Sequence, residues 1–108
     1  MGELFYKVYE LVKLIPKGKV TTYGEIAKAM GNPHFSQRVG HALHQNKNPI
    51  IVPCHRVVNR FGELASGFKF GGAQEQKYLL EREGVNVELI EGKFKVDLNK
   101  YIFHYTNH

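Results

Sequence analysis

The apolar residues at the start of the chain recur at intervals of three and four positions. They are Leu4, Phe5, Val8, Leu11, Val12 and Ile15. This spacing places them on one face of an amphipathic helix. Pro16 and Gly18 are typical of the place where a helix ends. We therefore predict a helix over residues 3–15 whose apolar face packs into a core.

Two shorter helical patterns follow, separated by a tight turn. Thr22, with Glu25 three residues later, is a capping-box signature for the first helix, and Gly31 would end it. The second helix starts at Phe35 or Ser36. Residues predicted to be buried are Ile26, Ala27 and Met30 in the first helix and Val39, Ala42 and Leu43 in the second. Two such helices form a helix-turn-helix, whose second helix enters a DNA groove, although helix pairs that bind no DNA are commoner.

The exposed face of the second helix carries hydrogen-bond donors and no acidic residue. The donors are Gln37, Arg38, His41, His44, Gln45 and Lys47. Side chains of this kind suit contacts with phosphates and base edges. The alternative for His41 and His44 is that they are ordinary solvated histidines. We favour that over metal ligation because no third ligand lies nearby in the sequence.

Short extended segments are predicted around the one cysteine. The β-branched residues 50–52 lie between two prolines, and we expect them to form a buried extended segment that holds Cys54 in a rigid position. Residues 57–58 and 63–64, joined by a turn over residues 59–62, are predicted to form a small hairpin.

The remaining pattern predicts a loop, a helix and a second hairpin. Residues 66–72 are expected to form a mobile, aromatic loop, and residues 73–83 a helix that packs through Tyr78, Leu79 and Leu80 and ends at Gly84. A hairpin follows, made of residues 85–89 and 93–96, and Asp97 is expected to cap a last turn through Tyr101. The fold class that we predict is a mainly α, winged helix-turn-helix-like single domain over residues 1–108 with short β-hairpins.

Composition and charge narrow the function. A chain of 108 residues suffices for one modest core, and its net charge of +5 favours a polyanionic partner, with a solvated basic surface as the alternative. The single cysteine excludes an internal disulfide and is typical of the reducing cytoplasm. The sequence contains no zinc-ligand quartet, no glycine-rich nucleotide loop and no apolar run of about 20 residues. We therefore predict no metal, no cofactor and no membrane segment.

Cys54 is the candidate for chemistry. An arbitrary lone cysteine is usually a buried, inert hydrophobe. A nucleophile needs thiolate character, which an adjacent base or cation promotes, and His55 and Arg56 follow Cys54 directly. This neighbourhood favours a reactive thiol.

The sequence Pro53-Cys54-His55-Arg56-Val57 resembles the signature of O6-alkylguanine-DNA alkyltransferases, and the resemblance covers nearly the whole chain. Residues 19–27 look like the start of the family's helix-turn-helix. Val39-Gly40 and Ala42-Leu43 resemble its recognition helix, and residues 79–84 resemble its closing helix.

The resemblance implies a single-use transfer reaction on double-stranded DNA. The protein would bind the duplex through the minor groove and rotate the O6-alkylguanine out, and the thiolate would then take the alkyl group. The implied catalytic roles are Cys54 as acceptor, His55 as proton relay through water, Glu83 as the residue that orients His55, and Asn46 as a brace near the site. The implied DNA-binding residues are Tyr23, Gln37, Arg38 and Arg56, and the implied pocket residues are Val52, Pro53, Ser66, Gly67, Phe68 and Phe70. We expect a monomer without a cofactor.

Three departures from the family pattern leave alternatives open. The additional N-terminal domain typical of the repair enzymes is not expected here. Short alkyltransferase-like proteins usually replace the cysteine and flag damage for nucleotide excision repair. The position of the intercalating arginine holds Gln37, with Arg38 one residue later, and Phe68-Lys69-Phe70 departs from the usual substrate loop. The alternatives to a transferase are a non-enzymatic lesion sensor that recruits nucleotide excision repair proteins and a winged-helix protein that binds undamaged DNA.

Overall fold

The N-terminal helix forms as predicted. The computed structural model describes residues 2–65 and 67–105, and its first helix, α1, spans Gly2–Lys13. Val8 and Val12 on its apolar face are fully buried, and Ile15 is buried just beyond its end. The predicted loop residue Ser66 lies outside the described residues.

The helix-turn-helix is also confirmed. Helix α2 spans Tyr23–Ala29, and the Thr22 side chain caps it by accepting a hydrogen bond from the Glu25 backbone N–H at 3.1 Å. Helix α3 spans Ser36–His44 after a 3-10 turn. The predicted stripe of α3 is buried: Val39, Ala42 and Leu43.

A parallel strand pair links the helix-turn-helix to the cysteine segment. Strand β1, Thr21–Thr22, pairs in register with strand β2, Val57–Val58. Cys54–Arg56 forms a 3-10 turn directly before β2. The pairing therefore holds the cysteine turn beside the start of α2.

The prediction of a buried extended segment over residues 50–52 is wrong. Ile50 is 90% exposed and Ile51 is 58% exposed, and only Val52 is buried. Asn48 closes a turn here, because its side-chain oxygen accepts from the Ile51 N–H at 3.2 Å and its carbonyl accepts from the Val52 N–H at 2.9 Å. A turn held by an Asn side chain satisfies these backbone groups locally and leaves no strand to pair.

The first predicted hairpin is wrong in its pairing. The turn itself forms, with the Gly62 N–H donating to the Asn59 carbonyl at 2.9 Å. The segment after it, however, turns away from β2: Glu63 bridges Lys95, and the Leu64 N–H donates to the Phe94 carbonyl at 3.0 Å. Strand β2 instead takes β1 as its partner, from a distant part of the sequence.

The C-terminal elements follow the prediction with one exception. Helix α4 spans Gly72–Arg82, strands β3 (Val87–Ile90) and β4 (Lys93–Val96) form an antiparallel hairpin, and Asp97 caps helix α5, Leu98–Tyr101. The exception is Tyr78, which is 54% exposed and lies under the guanidinium of Arg82. Leu80 is fully buried.

The buried residues form two clusters on either side of the β1–β2 pair. One joins α1, α2 and α3 with Cys54 and Val57, and the other joins Val20 and Val58 with α4 and the C-terminal hairpin. None of the helices in the described part of the chain is long and apolar enough to cross a membrane.

Candidate active site around Cys54

Cys54 lies on the wall of a small cavity between the helix-turn-helix and the loop that follows Leu64. Its thiol is free, and the residue is 7% exposed. The cavity has a volume of about 70 Å³. The helix-turn-helix supplies Tyr23, Gly40, Leu43 and His44 to its wall. The loop supplies Ala65, Gly67, Phe68 and Lys69.

Asn46 holds the segment that carries the thiol. It is buried just beyond the end of α3, and its Nδ2 donates to the Val52 carbonyl at 3.0 Å and approaches the Cys54 sulfur at 3.5 Å. Its Oδ1 accepts from the Asn48 N–H at 3.0 Å. Asn46 thus lies where a brace for the thiol is required, although that role itself stays a prediction.

His55 and Arg56 both contact the carboxylate of Glu83. Nε2 of His55 lies 3.0 Å from Oε2 of Glu83, and Arg56 donates from Nε to Oε1 at 2.9 Å and from Nη2 to Oε2 at 2.7 Å. Nη1 of Arg56 donates to the Ile15 carbonyl at 2.8 Å. The side chains of all three polar residues are at most 16% exposed. This network fixes the end of α4 against the cysteine turn and against the end of α1.

The charge states in this network follow from burial and pairing. Burial alone would raise the pKa of Glu83, but hydrogen bonds from Arg56, and the charge that His55 carries once it is protonated in acid, outweigh it and lower that pKa. Burial lowers the pKa of His55, although Glu83 opposes the change. Glu83 is therefore ionised and His55 is neutral near pH 7, a state in which His55 can accept a proton.

The thiol is not activated by direct contact with the imidazole. Within residues 2–65 and 67–105, Cys54 and His55 form no side-chain hydrogen bond, and the polar partner of the sulfur is Asn46. Burial raises the pKa of Cys54, while the Asn46 hydrogen bond and the charge of Lys69 act to lower it. The resting residue is thus a protonated thiol.

The predicted pocket residues divide into two groups. Gly67 and Phe68 line the cavity, and Phe70 packs edge-on against Phe68 with ring centroids 5.8 Å apart. Val52 and Pro53 are buried behind Cys54, where the Val52 carbonyl accepts from Asn46. Ser66 lies outside the described residues, and the mobility expected of this loop stays a prediction.

The predicted DNA-binding residues fall into two groups: those on the cavity wall or the surface, and Arg56, which is bonded within the domain. Tyr23 lines the cavity, and Gln37 and Arg38 are exposed on α3, with the guanidinium of Arg38 4.8 Å from the ring centroid of Phe35. Arg56 is instead engaged within the domain by Glu83 and the Ile15 carbonyl.

Comparison with known proteins decides the family. The family model described as "6-O-methylguanine DNA methyltransferase, DNA binding domain" matches residues 3–85. The chain belongs to this family. Helices with short strands, as seen here, are also the fold of its solved members.

Members of the family similar to this chain carry several kinds of name. Alkyltransferase-like protein 1 of Schizosaccharomyces pombe is 40% identical over 95% of this chain and 96% of its own length. The DNA base-flipping protein of Escherichia coli is 36% identical over 92% of this chain and 73% of its own. A methylated-DNA–protein-cysteine methyltransferase of Thermococcus kodakarensis is 48% identical over 73% of this chain, but over only 43% of its own length.

One solved structure from the family matches almost the whole of the present chain. It is the crystal structure of S. pombe Atl1 in complex with damaged DNA containing O6-carboxymethylguanine. The TM-score is 0.89 at 40% identity, with 97% of this chain and 98% of that chain covered.

Sequence reasoning missed Gln76, Lys69 and His44 as wall residues of the cavity. Gln76 had a usable signal: it precedes Leu80 by four positions, and residues four apart share a helix face. Since Leu80 was expected to be buried, Gln76 was a candidate for a buried polar side chain on the same face. Lys69 and His44 had no comparable signal, because their positions depend on how the loop meets α3.

A wider groove adjoins the cavity. It has a volume of about 490 Å³ and shares Tyr23, Ala65 and Gly67 with the cavity wall. Its far side is formed by residues of the C-terminal hairpin, among them Lys93 and Phe94. The groove and the cavity therefore lie side by side, with Tyr23, Ala65 and Gly67 contributing to the walls of both.

Proposed function

We propose that this protein binds double-stranded DNA containing O6-alkylguanine, takes the modified base out of the duplex and transfers its alkyl group to Cys54. The observation that carries the proposal is a free thiol on the wall of a cavity whose other wall is the helix-turn-helix. The S. pombe Atl1 complex with O6-carboxymethylguanine DNA supports the binding step of this proposal, because that protein matches this chain over nearly its whole length.

The proposed DNA contact is made by α3 and the start of α2. The exposed residues of α3 include no acid, and the chain carries a net charge of +5. A surface of this kind attracts a duplex through its phosphates. Tyr23 would contact the backbone beside the rotated nucleotide, and Gln37 or Arg38 would fill the gap that the base leaves in the stack.

For Arg56, which was expected to bind DNA, we propose a bracing role. With its guanidinium held by three hydrogen bonds to Glu83 and the Ile15 carbonyl, it is better suited to bracing the cysteine turn than to binding phosphate. We assign it this bracing role. The free thiol also supports action in a reducing cytoplasm, and we propose that the protein acts as a monomer.

The proposed transfer balances without a cofactor. The Cys54 thiol passes its proton through a water molecule to His55, and the thiolate attacks the alkyl carbon. A carbon–sulfur bond forms as the bond between carbon and O6 breaks, and the electron pair remains on guanine. Guanine takes up one proton, which balances the proton that the thiol released. Each protein molecule reacts once, because the thioether cannot be displaced again.

A lesion sensor is the second candidate, and two observations favour it. Burial raises the pKa of Cys54, which disfavours the thiolate. The chain also matches an alkyltransferase-like protein over nearly its whole length and the methyltransferase over less than half of that enzyme's length. In this role the pocket binds the modified base, Cys54 stays unreacted, and nucleotide excision repair proteins are recruited.

Intact-protein mass spectrometry after incubation with duplex DNA containing O6-methylguanine separates the two candidates. Transfer predicts a gain of one methyl group per protein molecule. The Cys54→Ser variant should show no gain and should keep its affinity for the duplex, and undamaged DNA should leave the wild-type mass unchanged. Selective binding of the lesion without a mass gain would establish the sensor and reject the transferase.

A further inference from the structure

Gln76 is a fully buried side chain whose amide joins two walls of the Cys54 cavity. It lies on α4, is 0% exposed and lines the cavity. Its Nε2 donates to the His55 carbonyl at 3.1 Å and to the Val57 carbonyl at 3.0 Å. Its Oε1 accepts from the Ala65 N–H at 2.9 Å.

The partners of Gln76 belong to segments that the backbone does not otherwise connect at this point. His55 lies in the turn that carries the thiol, and Val57 begins β2 directly after that turn. Ala65 begins the loop whose residues 67–69 line the same cavity. One side chain thus ties the segment that carries the thiol to this loop.

The chemistry of the amide suits this link closely. A carboxamide offers two N–H donors and a carbonyl acceptor, and each donor here has a carbonyl partner while the acceptor has an N–H. A hydrophobic side chain of similar size would leave two backbone carbonyls and one N–H without partners in a buried place, which is costly. The three bonds therefore hold the loop to the cysteine turn more tightly than apolar packing alone.

We propose that Gln76 is a positioning residue that fixes the width of the Cys54 cavity and thereby sets the preference for alkylated over normal guanine. The inference rests on the proposed function, because it concerns how the same cavity selects its base. Gln76 acts through the two walls and takes no part in bond making.

Substitution of Gln76 separates this role from a general effect on stability. Gln76→Met removes all three hydrogen bonds, and Gln76→Lys keeps donors for the His55 and Val57 carbonyls but offers the Ala65 N–H no acceptor. Gln74→Met is the matched control, since Gln74 is an exposed glutamine on the same helix. For each variant, affinity is measured for duplexes with and without O6-methylguanine, together with hydrogen exchange at the Ala65 amide.

We expect Gln76→Met to lose about tenfold of the lesion preference, the factor that one or two lost hydrogen bonds produce. Its affinity for undamaged DNA should stay within about twofold of wild type, since α3 is unaltered. In both Gln76 variants the Ala65 amide should exchange faster, and Gln74→Met should match wild type in every measurement.

The outcomes distinguish this inference from the proposed function on which it rests. A wild-type protein with no lesion preference would overturn the proposed function, and the inference with it. A selective wild type whose preference survives in Gln76→Met would overturn the inference alone. Should Gln76→Met fail to fold, Gln76→Lys provides the test, through the ratio of affinities for duplexes with and without O6-methylguanine. An unchanged ratio together with faster exchange of the Ala65 amide would count against the inference.

Discussion

At the scale of single residues, the site depends on how one carboxylate is shared. Glu83 accepts from Arg56 at both of its oxygens and lies 3.0 Å from Nε2 of His55. Because an ionised carboxylate only accepts hydrogen bonds, His55 must donate through Nε2. Its Nδ1 therefore keeps a lone pair and can accept a proton, as a proton relay from the thiol requires. Glu83 thus sets both the orientation and the tautomer of the imidazole.

Removal of the Glu83 charge tests this assignment. Glu83→Gln leaves Arg56 with an unpaired, mostly buried charge, and we expect a loss of about 2–4 kcal/mol in the free energy of unfolding. Since Glu83 raises the pKa of His55 against the effect of burial, that pKa should fall further in the variant. NMR titration of His55 and urea unfolding provide the measurements. Glu81→Gln is the control, because Glu81 forms an exposed pair with Lys77 and its loss should cost at most about 0.5 kcal/mol. An unchanged His55 titration would contradict the assigned role.

The same two groups predict how stability depends on pH. The pKa values of both His55 and Glu83 are lower in the folded protein than their ordinary values, so the unfolded chain binds more protons and acid favours unfolding. Stability should be full above pH of about 6.5, fall first as unfolded histidine gains its proton, and fall again below about 4.3 as unfolded glutamate does. Thermal melting across pH 3–8, compared between wild type and Glu83→Gln, checks this. The loss of stability at the lower of the two pH values should be smaller in the variant. Identical profiles would show that Glu83 is not the source of that loss.

At the scale of elements, the cap of α2 controls where Tyr23 lies. Thr22 belongs to β1, pairs with Val58 and also provides the oxygen that accepts from the Glu25 N–H. Tyr23 is the first residue of α2 and lines both the cavity and the wider groove. The strand and the cap therefore fix the start of the helix from opposite sides, and Tyr23 with it.

Loss of the cap should weaken both the fold and lesion recognition. Thr22→Val removes the hydroxyl but keeps the branched shape that is buried at this position, and we expect a loss of about 1 kcal/mol in stability. Thr22→Ser, which keeps the hydroxyl, is the control and should bind the lesion duplex as wild type does. Urea unfolding and binding to O6-methylguanine DNA provide the measurements. Equal behaviour of the two variants in binding would show that the cap does not position Tyr23.

The elements also show what the sequence could predict. Helices α1 to α4 and the last hairpin follow from local periodicity and caps, which act between residues a few positions apart. The β1–β2 pairing joins Thr21 to Val57 across the chain, and no local pattern specifies it. The turn at Asn59 was predictable because its residues are neighbours in the sequence. The partner of β2 was not predictable, because β1 lies far from β2 in the sequence. Cys54 and the adjacent His55 could be singled out from the residues alone, whereas the roles of Glu83 and Asn46 came from the family resemblance. The spacing of Gln76 from Leu80 indicated a buried face, but the place of Lys69 in the cavity wall depends on how the loop meets α3.

At the scale of the whole molecule, two apolar clusters are joined along one short strand. Val57 faces the cluster of the helix-turn-helix, and Val58 faces the cluster of α4 and the C-terminal hairpin, as alternate residues of a strand do. The C-terminal segment crosses the same place: the Phe103 N–H donates to the Val20 carbonyl at 2.7 Å, and Tyr105 donates its hydroxyl to the Leu11 carbonyl at 2.7 Å. The turn that carries Cys54 therefore lies at the junction of the two clusters, while Gln37 and Arg38 on α3 are exposed to solvent.

The net charge of +5 makes binding by the whole molecule dependent on salt. If about four phosphates are neutralised, the logarithm of the association constant should fall against the logarithm of salt with a slope of about −3.6. Arg38→Ala should weaken binding, and the slope shows how: a lost phosphate contact makes it shallower by about 0.9, whereas a side chain inserted into the base stack lowers affinity at constant slope. Gln37→Ala is the neutral neighbour for comparison, and fluorescence anisotropy over a salt series measures all three proteins.

Two results would contradict this account of DNA binding. Binding that does not vary with salt would rule out a phosphate-directed interface on α3. Equal salt-dependent binding of damaged and undamaged duplexes would point to a winged-helix protein without lesion recognition.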